Sequence, residues 1–108
     1  MTEDMYIEKA MYLGNFVILF ETTEGEMRTI DFKPMLNEDM GAFISLRNEK
    51  AFKKFYLDTN ILTWNVDIPK KSEKQINKFD IAPEYIQEHS VPLVLYNGEY
   101  HIVVGQQA

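Results

Sequence analysis

Residues 16–32, FVILFETTEGEMRTIDF, constrain the fold of this chain more than any other stretch. The run 16–20 consists of aromatic and branched side chains, which is typical of a central strand buried on both faces. A polar segment follows, and Gly25 within it accepts the positive φ that a tight turn needs. Apolar side chains return at Ile30 and Phe32. The pattern therefore predicts a β-hairpin.

Counting outward from a two-residue turn at Glu24 and Gly25 gives a register for this hairpin. The opposite charges of Glu21 and Arg28, which would then face each other, support that register. A longer turn would shift the pairing by one residue and exchange the two faces of the sheet, so the alternative stays open. The pairs expected from the two-residue turn are Thr23 with Glu26, Glu21 with Arg28, Leu19 with Ile30, and Val17 with Phe32.

A second hairpin is predicted over residues 91–104, where Asn97-Gly98 separates VPLVLY from EYHIVV. Asn-Gly is the preferred pair for a type I′ turn, because both residues tolerate positive φ. An isolated hairpin is only marginally stable in water, so we expect it to pair with the main sheet or with a second copy of itself. Its apolar face is our candidate interaction surface, formed by Leu93 paired with Ile102 and Leu95 paired with Tyr100.

Three further elements are expected between the hairpins. A first strand over residues 5–13 should turn at residues 14–15 into the first hairpin. Asn48 is a suitable N-cap for a helix that extends to about Phe55, because its side-chain oxygen can accept a bond from a backbone N–H in the first turn. A shorter hairpin should follow and end at Trp64, whose ring we expect in the core.

Two helices are predicted later in the chain. Ser72 and Gln75 have the spacing of a capping box, which indicates a short helix through Lys78. A better marked helix should run from Pro83 to about His89, because proline is tolerated in a first helical turn. Short turns and the lack of long crossover helices favour antiparallel strands. We therefore expect one α+β domain over residues 1–108, with an antiparallel sheet of β-hairpins packed by two or three short helices.

The chain resembles the bacterial family called domain of unknown function 2442. The resemblance covers residues 5–88 and depends most on the motif DIAPE at residues 80–84, which follows Trp64 at the end of a strand. The chain departs from the family in two ways, by the residues inserted after Trp64 and by the added C-terminal hairpin. Because of the insertion, Asp67 and Asp80 are alternative matches for the family aspartate. The resemblance implies a small α+β domain without an established activity. It also implies a partner component of a small bacterial gene pair of toxin–antitoxin type.

The DIAPE motif has two interpretations. As a helix start, Asp80 would accept a backbone N–H, Pro83 would preset helical φ, and Glu84 would place negative charge near the helix N-terminus. As a catalytic pair, Asp80 and Glu84 would act as acid and base, provided that both lie on one helix. We expect the structural role, with Trp64, Asp80, Pro83 and Glu84 as structural residues.

Few residues in this chain are suited to catalysis or cofactor binding. Cysteine is absent, which excludes disulfides and thiolate metal sites. The only histidines, His89 and His101, lie on different predicted elements. We therefore expect no enzyme, no catalytic residue, no cofactor and no metal. No apolar run reaches the length of a membrane span and the first residues do not form a signal peptide, so the expected location is the cytoplasm.

The charge pattern leaves two functional classes open. The first is a non-catalytic protein-interaction module, whose partner is another protein or a second copy in a homodimer. The alternative is an accessory protein that binds nucleic acid or a small molecule through a basic patch. The net charge of −6 argues against nucleic acid, because an acidic chain repels phosphate at long range. The two candidate patches are Lys70, Lys71, Lys74 and Lys78, and Arg47, Lys50, Lys53 and Lys54.

Overall fold

The computed structural model describes residues 5–39, 41–69, 74–96 and 98–102. Within these residues the chain forms strands, three short α-helices and one 3-10 helix. The strands are β1 (Ile7–Gly14), β2 (Val17–Thr22), β3 (Met27–Asp31), β4 (Tyr56–Asp58), β5 (Ile61–Pro69), β6 (Lys74–Asp80), β7 (Ser90–Tyr96) and β8 (Glu99–Ile102). The helices are α1 (Lys33–Leu36), the 3-10 helix (Gly41–Arg47), α2 (Glu49–Phe52) and α3 (Pro83–His89).

The strands form two antiparallel sheets. The first has five strands in the order β1-β2-β3-β7-β8, and the second has three strands in the order β4-β5-β6. All of the observed strand pairs are antiparallel. The predicted α+β class is therefore confirmed, with the strands divided between two sheets.

The predicted register of β2 with β3 is wrong by one residue. Leu19 pairs with Thr29, and its neighbouring pairs shift in the same way. The reason is a three-residue loop: the Thr22 N–H donates to the Glu26 carbonyl at 2.8 Å, and Gly25 has a φ of 90°. Such a loop places one more residue between the strands than a two-residue turn does. Relative to β2, each side chain of β3 therefore lies on the face opposite to the predicted one. β2 itself is buried on one face only.

The C-terminal hairpin has the predicted register. Leu93 pairs with Ile102, Val94 with His101, and Leu95 with Tyr100. β7 also pairs with β3, so the hairpin joins the main sheet, which was one of the two expected outcomes. Asn97 and residues 103–104, which were part of this prediction, lie outside the described residues.

The helix predicted through Lys78 is wrong, because residues 74–80 form strand β6. This strand pairs with β5 along its whole length, and Phe79 lies opposite Trp64. A long-range strand pairing thus overrides a local pattern, as tertiary context commonly does with weak propensities. Ser72, on which the helix prediction depended, lies outside the described residues.

The two predicted helix starts have different outcomes. The Asn48 side chain accepts a hydrogen bond from the Lys50 N–H at 2.9 Å, so this N-cap is confirmed, although α2 ends at Phe52. Helix α3 begins at Pro83 as expected, but its N-cap residue is Ala82, without a side-chain cap bond. Asp80 is instead the last residue of β6 and is exposed. The prediction that Asp80 caps this helix is therefore wrong.

Both sheets and the helices contribute to one cluster of buried side chains. Phe52 is at its centre, with ring centroids 5.6 Å from Phe32 and 5.3 Å from Trp64. Trp64 is only 1% exposed and donates its indole N–H to the Phe52 carbonyl at 2.5 Å. The buried hydrophobic residues are Ile7, Ile18, Phe20, Ile30, Phe32, Met35, Leu36, Leu46, Phe52, Leu62, Trp64, Val66, Ile81 and Ile86.

Candidate protein-contact surface

The five-stranded sheet has one face on the core and one face directed away from it. On β2 and β3, Ile18, Phe20 and Ile30 are buried on the core side. Successive side chains of a strand point to opposite faces, so the residues between them lie on the other side. We call that side the outer face. Leu13 belongs to it by the alternation of exposed and half-buried residues in β1, and has no partner in β2 because the register shifts between Tyr12 and Gly14. The residues of the outer face in β1, β2, β3 and β7 are Lys9, Met11, Leu13, Val17, Leu19, Glu21, Met27, Thr29, Asp31, Val91 and Leu93.

The strand register aligns a row of side chains across four strands of the outer face. Met11 lies opposite Leu19, Leu19 opposite Thr29, and Thr29 opposite Val91. Met11 is 60% exposed, Leu13 on the same strand is 52% exposed, and Val91 is 37% exposed. Leu19 and Thr29 between them are half-buried. Exposed apolar side chains on one face of a sheet are characteristic of contact sites when they lie together, as Met11 and Leu13 do.

An open depression of about 300 Å³ lies in the outer face. Leu19 and Met27 line it together with Met11, and the charged residues Lys9 and Glu21 also border it. Lys9 and Glu21 lie directly opposite each other on β1 and β2. Ligand sites typically have volumes of roughly 300–1,000 Å³ and enclose their ligand. This depression is at the lower limit of that range and is open, so it suits a side chain of another protein better than a small molecule.

A strained turn determines where β1 meets β2. The turn comes at Asn15 and Phe16, one residue later than expected, and both have positive φ, of 54° and 62°. Phe16 donates its N–H to the Tyr12 hydroxyl at 3.1 Å, and the Lys33 ammonium donates to the Asn15 carbonyl at 2.7 Å. Burial, followed by the hydrogen bond to Glu49, raises the pKa of Tyr12, which stays a neutral donor. These contacts hold the turn and with it the register of the outer face.

The residues predicted for interaction extend this surface. Leu93 is half-buried and lies on the outer face, since it follows Val91 by two positions along β7. The register of β7 with β8 places positions 95, 100 and 102 on the same face as Leu93. The side chains of Leu95, Tyr100 and Ile102 lie outside what the structure describes.

The sequence interpretation missed the larger part of the outer face, on β1, β2 and β3. The alternation of Met11 and Leu13 with Ala10 and Tyr12 in β1 is a signal that could have indicated it. The shifted register concealed the face, because it assigned Leu19 to the side of Ile30.

The structural residues have the following positions. Trp64 is in the core, as predicted. Pro83 lies in the first turn of α3, and Glu84 follows it there and is exposed. Asp80 belongs to β6, so Asp80 and Glu84 do not share a helix, which the acid–base interpretation required. Among the residues that the structure describes, no group of three or more His, Cys, Asp or Glu side chains could hold a metal ion.

Two cations of the basic patches are engaged within the protein. Arg47 donates to the carbonyls of Leu36 at 2.5 Å and Glu38 at 2.9 Å. The Lys78 ammonium lies 2.8 Å from the Asp58 carboxylate, and through this hydrogen bond and its charge it lowers the pKa of Asp58. The other lysines of the Arg47 patch are exposed: Lys50, Lys53 and Lys54. Lys70 and Lys71 lie outside the described residues, as does the side chain of Lys74.

No protein-family model, curated protein or solved structure matches this chain. The resemblance to domain of unknown function 2442 stays a prediction, and the function has to be argued from the surface itself. In the part of the chain that the structure describes, no helix is long and apolar enough to cross a membrane.

Proposed function

We propose that this protein is a non-catalytic interaction module that binds another protein chain through the outer face. The observation that carries this proposal is the aligned row from Met11 to Val91 together with Leu13, on a sheet whose other side is the core. Met11, Leu13 and Val91 are exposed to solvent, and Leu19 and Thr29 between them are half-buried. Following the family resemblance, we place the module in the bacterial cytoplasm, as the partner component of a small gene pair of toxin–antitoxin type.

The energetics of the outer face suit a protein contact. The interior strands β2, β3 and β7 have a hydrogen-bonded strand on each side, so a partner on this face needs to supply mainly side-chain contacts. Removing apolar area from water contributes roughly 25 cal/mol per Å². A side chain entering the depression beside Leu19 would be the buried anchor of such an interface, and Lys9 and Glu21 would form part of its polar rim.

The alternative function, binding of nucleic acid or a small molecule by a basic patch, has weaker support. Arg47 is engaged with backbone carbonyls and Lys78 with Asp58. The exposed cations of the Arg47 patch that remain are Lys50, Lys53 and Lys54. Salt dependence separates the two functions: a complex with six to ten phosphate contacts loses roughly 10³–10⁵ in affinity between 50 and 200 mM salt, whereas an apolar interface does not depend on counterion release.

Site-specific photo-crosslinking tests the proposal. A photoreactive amino acid at position 13 should give a crosslinked product in cells of the native host, because Leu13 is 52% exposed on the outer face. The matched control is the same amino acid at position 44, since Ile44 is 51% exposed but lies on the 3-10 helix. A product at position 13 that position 44 does not give supports the proposal. Equal products at both positions, or a product at neither, would contradict it.

A further inference from the structure

We infer that the chain bound at the outer face is a second copy of this protein, an inference that rests on the proposed function. A twofold dimer uses the same surface on both subunits, so that surface must be complementary to itself. The outer face meets this requirement along β1 and β2, where Met11 lies opposite Leu19 and Lys9 lies opposite Glu21. A twofold axis that runs between these two strands places the exposed Met11 of each copy on Leu19 of the other.

The charges of the outer face are complementary to themselves as well. Lys9 and Glu21 border the depression and carry opposite charges. Within the described residues, neither takes part in any of the observed salt bridges. A twofold arrangement brings Lys9 of each copy to Glu21 of the other, which forms two intermolecular ion pairs.

The net charge of the chain does not oppose this contact. The protein carries −6 overall, but the charged residues of the outer face nearly balance. Lys9 offsets Glu21, and Asp31 is paired with Lys33 at 3.0 Å. The excess of acidic residues therefore lies elsewhere on the molecule, and two copies meet at a nearly neutral surface. Such charge complementarity selects the partner and fixes the register of an interface.

Charge reversal tests this dimer by sedimentation equilibrium. The wild-type chain should approach twice its mass of 12.7 kDa as the concentration rises. Lys9→Glu and Glu21→Lys should each raise the dissociation constant by about tenfold or more, because each places two pairs of like charges across the interface. An equimolar mixture of the two variants should restore association, since the new carboxylate at position 9 of one chain then meets the new ammonium at position 21 of the other. Lys53→Glu, on the exposed C-terminal side of α2, is the control and should associate as the wild type does.

Restoration by mixing is the decisive result. A variant that is damaged in its own fold stays damaged in the mixture, so only an intermolecular contact explains the restoration. A wild-type chain that stays at 12.7 kDa at all concentrations would overturn the inference, as would a mixture that does not associate. If the wild type is monomeric and position 13 crosslinks to a different protein, the second copy is excluded and the proposed function stands. A monomeric wild type that gives no crosslink at position 13 overturns both the inferred dimer and the proposed function.

Discussion

Trp64 donates its indole N–H to the carbonyl oxygen of Phe52 and thereby joins the middle strand of the second sheet to the end of α2. Both side chains are at most 1% exposed, and Phe32 packs against both rings. Each residue also belongs to the buried cluster to which both sheets contribute. This bond therefore lies at the point where the two sheets and the helical segment meet.

Trp64→Ala should lower the free energy of unfolding by about 3–5 kcal/mol, because it leaves a large cavity in the core. Urea unfolding followed by circular dichroism measures the loss. Trp64→Phe separates packing from hydrogen bonding, since it retains an aromatic ring but leaves the Phe52 carbonyl without the indole donor. We expect it to cost about 1–3 kcal/mol. A loss below about 1 kcal/mol for the alanine variant would contradict the central position of this ring.

Gly25 should be the least replaceable residue of the first hairpin. Its φ of 90° lies in the region that side chains disfavour, and the three-residue loop depends on it. Gly25→Ala should destabilise the protein by about 1–2 kcal/mol, whereas Gly25→Asn should cost less, because asparagine tolerates positive φ. Thermal unfolding compares the two variants. Equal stability of both with the wild type would indicate a different loop.

Asn48 and Asp80 form a matched pair for testing helix caps. Asn48→Ala removes the side-chain bond to the Lys50 N–H and should cost about 0.5–2 kcal/mol. Asp80→Ala removes no cap, because α3 begins after Ala82, and should change stability by less than about 0.5 kcal/mol. Chemical denaturation of the two variants gives the comparison. A loss of about 0.5–2 kcal/mol for Asp80→Ala would instead support the interpretation of Asp80 as the cap of α3.

Asp58 should report its contact with Lys78 in its titration. The hydrogen bond and the charge of Lys78 lower the pKa of Asp58 in the folded state. A lowered folded pKa means that this contact stabilises the fold above about pH 3.9, the ordinary aspartate pKa, and that the stabilisation is lost as the pH falls through the folded pKa. NMR titration should show the pKa of Asp58 returning toward its ordinary value in Lys78→Gln and staying low in Lys53→Gln. An unchanged pKa of Asp58 in Lys78→Gln would contradict this contact.

The fold could be predicted where a few neighbouring residues are enough to determine the local structure. The dipeptide Asn97-Gly98 predicts the pairing of Leu93 with Ile102, because it favours a two-residue turn, and the observed register confirms that pairing. Gly25 is compatible with both a two-residue and a three-residue loop. The choice between them, and with it the face on which Leu19 lies, depends on packing that the local sequence does not contain.

The parts that could not be predicted depend on distant partners. Residues 74–80 form a strand because β5 provides a complete row of hydrogen-bond partners, which the local capping pattern at Ser72 does not indicate. This strand also includes Asp80, which removes it from the cap position. The sequence indicates the outer face only in part: alternation in β1 separates Met11 and Leu13 from Ala10 and Tyr12, but the position of the second sheet determines which of these two sides is covered.

Photochemical footprinting tests the central claim, that the outer face is bound by another chain, most directly. A carbene reagent labels exposed side chains, and its yield at each residue is compared between purified protein diluted until sedimentation shows only the monomer and the protein at high concentration in an extract of its native host. We expect labelling of Met11 and Leu13 to fall in the extract while labelling of Ile44, which has a similar exposure, stays unchanged. Equal labelling of Met11 and Leu13 in both samples would contradict the account.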